Sequence, residues 1–246
     1  MTSLSPYEWS ALAASAVVLG MQKTGLQGVV MLVIPLLATI FGGRASAGLL
    51  LPMLSMADMA ALYYYHRTAS WKHVLRVLPT TVAGIVIGTA LGASIPDDLF
   101  LRVIGAVIVL SLLLMVYSEY VRKDANVPEW WWFSPAIGLA GGFATMVGNA
   151  STVIMALYLL SMRLPKEHYI GTGAWFFFLI NIIKMPFHIL VWGTITLDTL
   201  AINALVAPLI LVGAMIGVRL VRRVPEKPYR AVIIIVTFIS SLRLFF

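Results

Sequence analysis

Two lysines stand inside long apolar runs of this chain, Lys23 in GMQKTGLQG (residues 20–28) and Lys184 in NIIKMPFH (residues 181–188). A charge in a membrane-spanning run costs roughly 2.5 to 3.5 kcal/mol on insertion scales, so each needs a reason. Around Lys23 the reason is backbone freedom, because Gly20, Gly25 and Gly28 let the chain turn there. Lys184 follows Asn181 by three residues, which places both on one helix face. Pro186, just beyond, has no N–H to offer the Ile182 carbonyl and so loosens the span. A second interruption, Gly148-Asn149-Ala150-Ser151, is polar but uncharged. Ammonium, amide, hydroxyl and free backbone N–H groups together are the chemistry that holds a small anion. The residue patterns of catalysis are missing: there is no His-Glu-x-x-His helix, no Gly-x-Ser-x-Gly elbow and no pairing of aspartates in facing spans. Neither an enzyme nor a metal or other cofactor is therefore expected.

The elements that must position these groups are membrane helices. Of the 246 residues, 61% are hydrophobic and 11% charged, against about a quarter charged in a soluble domain. Spanning helices of about 20 apolar residues fit Ala45 to Tyr65, Val74 to Ile95, Leu99 to Val116, Tyr169 to Leu190 and Leu200 to Leu220, and a shorter run closes the chain from Ala231 to Phe246. The stretches Trp9 to Phe41 and Trp130 to Met162 are too long for one span and too short for two. Each is broken near its middle by one of the two interruptions, so both are expected to be hairpins of two short helices that return to the side they entered. The first residues lack a cationic leader region and read as mature structure. There is no cysteine.

Charge sets the orientation. Lys and Arg exceed Asp and Glu by 17 to 10, and the excess gathers in short loops rather than in one patch, which argues against nucleic acid and for membrane topology. Basic loops lie at residues 66–76, 119–129, 163–168 and 219–230, whereas the loops at 94–98 and 193–198 carry aspartate without a cation. With the basic loops cytoplasmic, the chain alternates consistently only if both long stretches turn back. Arg44 and Arg102 are left as a minority at the outer ends of spans.

The chain also repeats itself. Pro79, Gly84, Gly88 and Pro96 recur as Pro208, Gly213, Gly217 and Pro225 at a shift of 129, while Gly25, Gly48 and Asp58 fall on Gly148, Gly171 and Asn181 at a shift of 123. Six residues have therefore been added between Asn181 and Pro208, most simply around the loop at 193–198. The expected fold is an all-α polytopic membrane protein of two inverted repeats, each a broken-helix hairpin plus three transmembrane helices. Its divisions are a first repeat at 1–118, a cytoplasmic linker at 119–129 and a second repeat at 130–246. Gly84, Gly88 and Gly92 form a small-residue face for close helix packing, and such faces leave homodimerisation open.

Repeat-related broken helices around a midplane site are a common plan of secondary transporters. The expected substrate contacts are Lys23, Thr24 and Gly25 at the first break, Gly148, Asn149 and Ser151 at the second, and Asn181 and Lys184 on the later span, with Asp58 as a coupling group. Plainer roles compete. Lys184 is close enough to Leu190 to snorkel to an interface, Asp58 could pair with a lysine or an exposed amide, and Asn149, Ser151 and Thr152 suit a helix cap. His66 and His188 are expected at an interface, and Trp130, Trp131 and Trp132 as an aromatic belt.

GMQKTGLQG followed by VIPLLA, the second break GGFATMVGNAS, NIIKMP and the duplicated Pro-x4-Gly-x3-Gly segments together make the chain resemble the sulfite exporter TauE/SafE family of membrane permeases. The resemblance covers essentially the whole chain. It implies transport of small sulfur-containing anions, such as sulfite, sulfonates or sulfoacetate-like compounds, across the bacterial cytoplasmic membrane, with the lipid bilayer and a small anionic substrate as partners. The second break departs from the family's more glycine-rich pattern at Asn149-Ala150-Ser151. A passive anion channel or a membrane assembly factor is the alternative.

Overall fold

The computed structural model describes residues 4–23, 29–65, 67–117, 131–162, 164–221 and 226–246. Among them the chain is helical, in the order α1 (Pro6–Lys23), α2 (Val30–Phe41), α3 (Gly43–Tyr65), α4 (Trp71–Ser94), α5 (Asp97–Val116), α6 (Phe133–Gly148), α7 (Thr152–Ser161), α8 (Lys166–Leu190), α9 (Leu197–Val221) and α10 (Glu226–Leu242). Five of these carry stretches long and apolar enough to cross a membrane, at Gly43–Tyr63, Trp71–Ser94, Asp97–Val116, Glu167–Leu190 and Leu197–Gly217. They coincide with the five spans expected from the sequence. At 1.5 Å per residue the 10 residues of α7 reach only about 15 Å and the 12 of α2 about 18 Å, well short of a hydrocarbon core of about 30 Å. The second long stretch is thus a pair of helices broken at Asn149-Ala150-Ser151; in the first, α1 ends at Lys23 and α2 begins at Val30, and residues 24–28 of that interruption lie outside the described residues.

Element ends have local causes. α3 starts at Gly43, two residues ahead of the apolar run, because the Asp97 carboxylate accepts from the Gly43 N–H at 3.0 Å and the Arg44 N–H at 3.3 Å. The same carboxylate takes the Arg44 guanidinium at 3.3 Å, and Arg44 also donates to the Gly92 carbonyl. The Arg44 charge, at the start of α3, is therefore met by its neighbour Asp97. α6 ends in a left-handed residue, Asn149 with φ 53° and ψ 25°. Asparagine is one of the few non-glycine residues that adopts this conformation at little cost, so a polar residue can stand where the turn otherwise favours glycine.

Packing is closest where helices meet through small residues. α4 lies along α6 and α9 along α1, with α3 against α8 between them. A Cβ on Gly84 would strike the Leu139 carbonyl of α6, and one on Gly213 the Val17 carbonyl of α1. Gly88 faces Met146, and Gly92 leaves room for the Trp192 ring. The small-residue face of α4 thus packs as the sequence suggested. The buried core gathers Leu12, Leu19, Met31, Ile34, Leu50 and Met53, whereas Leu75, Ile87, Leu113 and Leu211 face outward, as a hydrocarbon solvent allows. Between α8 and α9 the chain folds inward: Trp192 donates to the Thr89 carbonyl at 3.1 Å and stacks edge-on against Phe100, and Ile195 is buried. The loop that follows α8 is thus packed against α4 and α5.

Candidate functional site

The second break is where the polar groups converge. Lys184 is wholly buried in α8 and points at the end of α6, where its ammonium donates to the Thr145 carbonyl at 3.1 Å, the Thr145 hydroxyl at 3.0 Å and Asn149 Oδ1 at 2.6 Å. An ammonium has three N–H donors, and here three acceptors meet them. The left-handed turn makes this fit, because it brings the Asn149 side chain beside the carbonyl of the preceding turn. The Asn149 amide in turn reaches the Ala47 carbonyl of α3 at 3.5 Å. One turn before Lys184, Asn181 Nδ2 donates to Asp58 Oδ2 at 2.7 Å, joining α8 to α3. The Asp58 carboxylate, also wholly buried, attracts the Lys184 ammonium. Acceptors and a counter-charge thus hold this ammonium inside the protein, which excludes the snorkelling role.

On the outer side of this layer His188 is buried rather than interfacial. Its Nδ1 lies 2.9 Å from the Thr194 hydroxyl and its ring stacks on Trp192, so the inward-folded loop covers it. Sequence spacing placed His188 near a span end, and only the fold of the loop removes it from the interface. Its Nε2 has no partner among the described residues.

On the other side lies a half-open cavity of about 100 Å³, lined by Gln22 at the end of α1, Ala61 of α3, Thr152, Ala156 and Leu159 of α7, and the α8 face from Tyr169 to Phe177. It extends from the level of the breaks towards the ends of α3 and α8 that border the basic loops. Gln22 is buried and its Oε1 has no partner among the described residues.

The expected site residues fall as follows. Asn149, Asn181, Lys184 and Asp58 form one connected layer. Gly148 ends α6 and is buried with them. Ser151 is buried just ahead of α7, and its carbonyl accepts from the Met155 N–H at 2.9 Å to begin that helix. Lys23 is the last residue of α1, and its side chain, like Thr24 and Gly25, lies outside the described residues, as does His66. Thr145 and Gln22 were not among the expected contacts. Thr145 sits four residues before Asn149, one helical turn away, and that spacing was a usable signal; Gln22 stands in the first break itself.

A set of buried polar groups around a break between short helices, in a chain of apolar spans, belongs to a protein that handles a polar solute in the membrane. The family model for the sulfite exporter TauE/SafE matches residues 12–244. The chain belongs to the sulfite exporter TauE/SafE family. It is accordingly a multi-pass membrane protein of a transporter family for sulfite-type anions. Comparison with curated proteins and with solved structures finds no match.

Proposed function

We propose that this chain is a secondary transporter that moves small sulfur-containing anions, sulfite or a sulfonate among them, across the bacterial cytoplasmic membrane. The observation that carries the proposal is the buried Lys184 ammonium bound to the broken-helix turn at Thr145 and Asn149, with a cavity that reaches Thr152 at the start of α7, three residues beyond Asn149. In this reading the breaks form the substrate region, and Lys184 holds the second break in register. Asp58 and Asn181 fix α3 to α8 beneath it.

The proposed architecture is two inverted repeats, and reciprocal packing supports it. α4 of the first half packs on the broken hairpin of the second, and α9 of the second half packs on that of the first. Gly84 and Gly213, equivalent at a shift of 129, make these two approaches to backbone carbonyls. Asp58 and Asn181, equivalent at a shift of 123, bond to each other, as residues beside a pseudo-two-fold axis would. Rocking of one half against the other would expose the breaks to each side in turn.

Counterflow in proteoliposomes tests the proposal. Labelled sulfite is expected to exchange saturably against internal sulfite and to do so only weakly in Lys184→Met. Flux that rises linearly with concentration would point to a channel, and absence of any exchange would overturn the assignment.

A further inference from the structure

The loop between α8 and α9, residues 191–196, closes over a line of buried polar groups. It lies at the end of α8 opposite the basic loop at 163–168. Beneath it His188 Nδ1 meets the Thr194 hydroxyl at 2.9 Å, the Thr194 carbonyl accepts from the Thr199 hydroxyl at 3.2 Å, and the Thr199 carbonyl accepts from the Asn203 amide at 2.8 Å. The line joins α8 to α9 through the loop, and both of its ends are incomplete. His188 Nε2 and Asn203 Oδ1 have no partner among the described residues, although both side chains are wholly buried. Unmet buried polar atoms lower stability, and an end that only had to stay shut could carry apolar side chains at both positions. The line also leads to the second break. His188 is one turn beyond Lys184, whose ammonium holds Thr145 and Asn149. On α3 the Ala47 carbonyl faces the Asn149 amide, and the next residue, Gly48, lies against Thr194, where a Cβ would strike the threonine side chain. The loop and the break therefore touch neighbouring residues of one helix.

The loop is fastened at one residue and free at the next. Trp192 donates to the Thr89 carbonyl at 3.1 Å, and its ring fills the notch that Gly92 leaves on α4, edge-on to Phe100 and to His188. Gly193 beside it has φ 61°, and a Cβ there would meet nothing within 4 Å. A left-handed glycine in open space next to an anchored ring is a point where the chain can swing without disturbing either helix. We propose that residues 191–196 form the gate on the membrane side opposite the basic loops, with Trp192 as its latch and Gly193 as its hinge. When the ring leaves its notch, His188, Thr199 and Asn203 become the polar lining of a passage to the second break. Opening brings water or solute to His188 Nε2 and Asn203 Oδ1, the atoms that closure leaves unmet. This rests on the reading of the chain as an alternating-access transporter and adds which residues open one of its two sides.

The test is sided thiol modification of the full chain in vesicles, beside sulfite counterflow on the same preparation. The chain has no cysteine, so each variant carries one reporter. Thr196→Cys, exposed on the loop, reports which side the loop faces. From that side a membrane-impermeant reagent is expected to modify Asn203→Cys slowly but completely while Trp192 is in place. In Trp192→Ala the rate should rise about tenfold, the scale of one hydrogen bond lost from the closed form alone, with no change from the other side. Gly92→Ala, whose methyl displaces the Trp192 ring, should act in the same way, and Trp192→Phe, which refills the notch without the N–H, should fall between. Thr199→Cys serves as the buried reporter if Asn203→Cys does not fold. A buried thiol that never reacts while Trp192 is in place would make the loop a fixed closure and overturn the gate, as would one rate in every background or reaction only from the side away from the loop. Gated modification in vesicles that exchange no sulfite would sink the sulfur-anion reading and leave a gate for another solute. Sulfite exchange with an ungated thiol would sink the gate alone, and absence of both would sink the two together.

Discussion

The two sides of the second break are built to opposite standards. On the Lys184 side the ammonium has its three acceptors, Asn181 and Asp58 are joined, and Trp192 and Thr194 cover His188 from the loop above. On the α7 side the Gln22 amide oxygen has no partner among the described residues, a cavity reaches Thr152, and most of the wall is apolar. A buried polar cluster with its bonds made is rigid and excludes water, whereas an unmet group beside a cavity is a place for something to bind. The contrast separates residues that look alike in sequence: the Lys184 ammonium has its acceptors, whereas Gln22 and Thr152 border a cavity.

Mutations can break that contrast. The largest effect is expected from Lys184→Met, which fits the volume but leaves the Thr145 and Asn149 acceptors and the Asp58 charge without their partner. Removing one member of a buried charged cluster costs roughly 3–5 kcal/mol, so thermal unfolding should fall sharply and counterflow should be lost; a wild-type melting point would mean that Lys184 does not hold the closed side. Asp58→Asn and Asn181→Asp come next. The first removes the counter-charge and the second sets two carboxylates against each other, each expected to cost about 1–3 kcal/mol. The double exchange restores one carboxylate and one amide and should recover most of the stability and flux. If the double variant is no better than the singles, the two positions are not equivalent across an axis.

Asn149 separates backbone from side chain. Asn149→Gly keeps the left-handed turn but loses the acceptor 2.6 Å from Lys184 and the long amide contact with the Ala47 carbonyl, an expected loss of about 1.5–3 kcal/mol. Asn149→Ala loses the acceptor and strains the turn as well, so it should melt lower still by about 1–2 kcal/mol. Equal melting of the two would remove the turn from the account. The smallest effect belongs to Asp97→Ala at the outer end. It gives up a helix cap and a partly exposed ion pair, together about 1 kcal/mol, and should leave sulfite exchange at the wild-type level.

Much of this was legible from residue types. Apolar length located the five spans, glycine with polar neighbours located the break between α6 and α7, and the three-residue spacing of Asn181 and Lys184 put them on one face. The 123-residue shift paired Asp58 with Asn181 before any distance was known. What sequence could not supply was direction. Lys184 reaches inward because a left-handed Asn149 turns an acceptor towards it, and a φ angle is not written in a composition. His188 is buried because the loop after α8 folds back over it through Trp192 and Thr194, whereas hydropathy sees only its nearness to a span end. Gln22 was overlooked because a charge one residue later drew attention, yet a neutral amide suits a buried ligand site.

Sidedness of access to the cavity tests the account most directly. The chain has no cysteine, so Ala156→Cys carries a single reporter on the cavity wall. Modification by a membrane-impermeant thiol reagent should be fast in inside-out vesicles, slow in right-side-out vesicles, and slowed further by saturating sulfite. Modification confined to the right-side-out orientation, or a rate that no sulfur anion changes, would contradict a substrate cavity open to the basic-loop side.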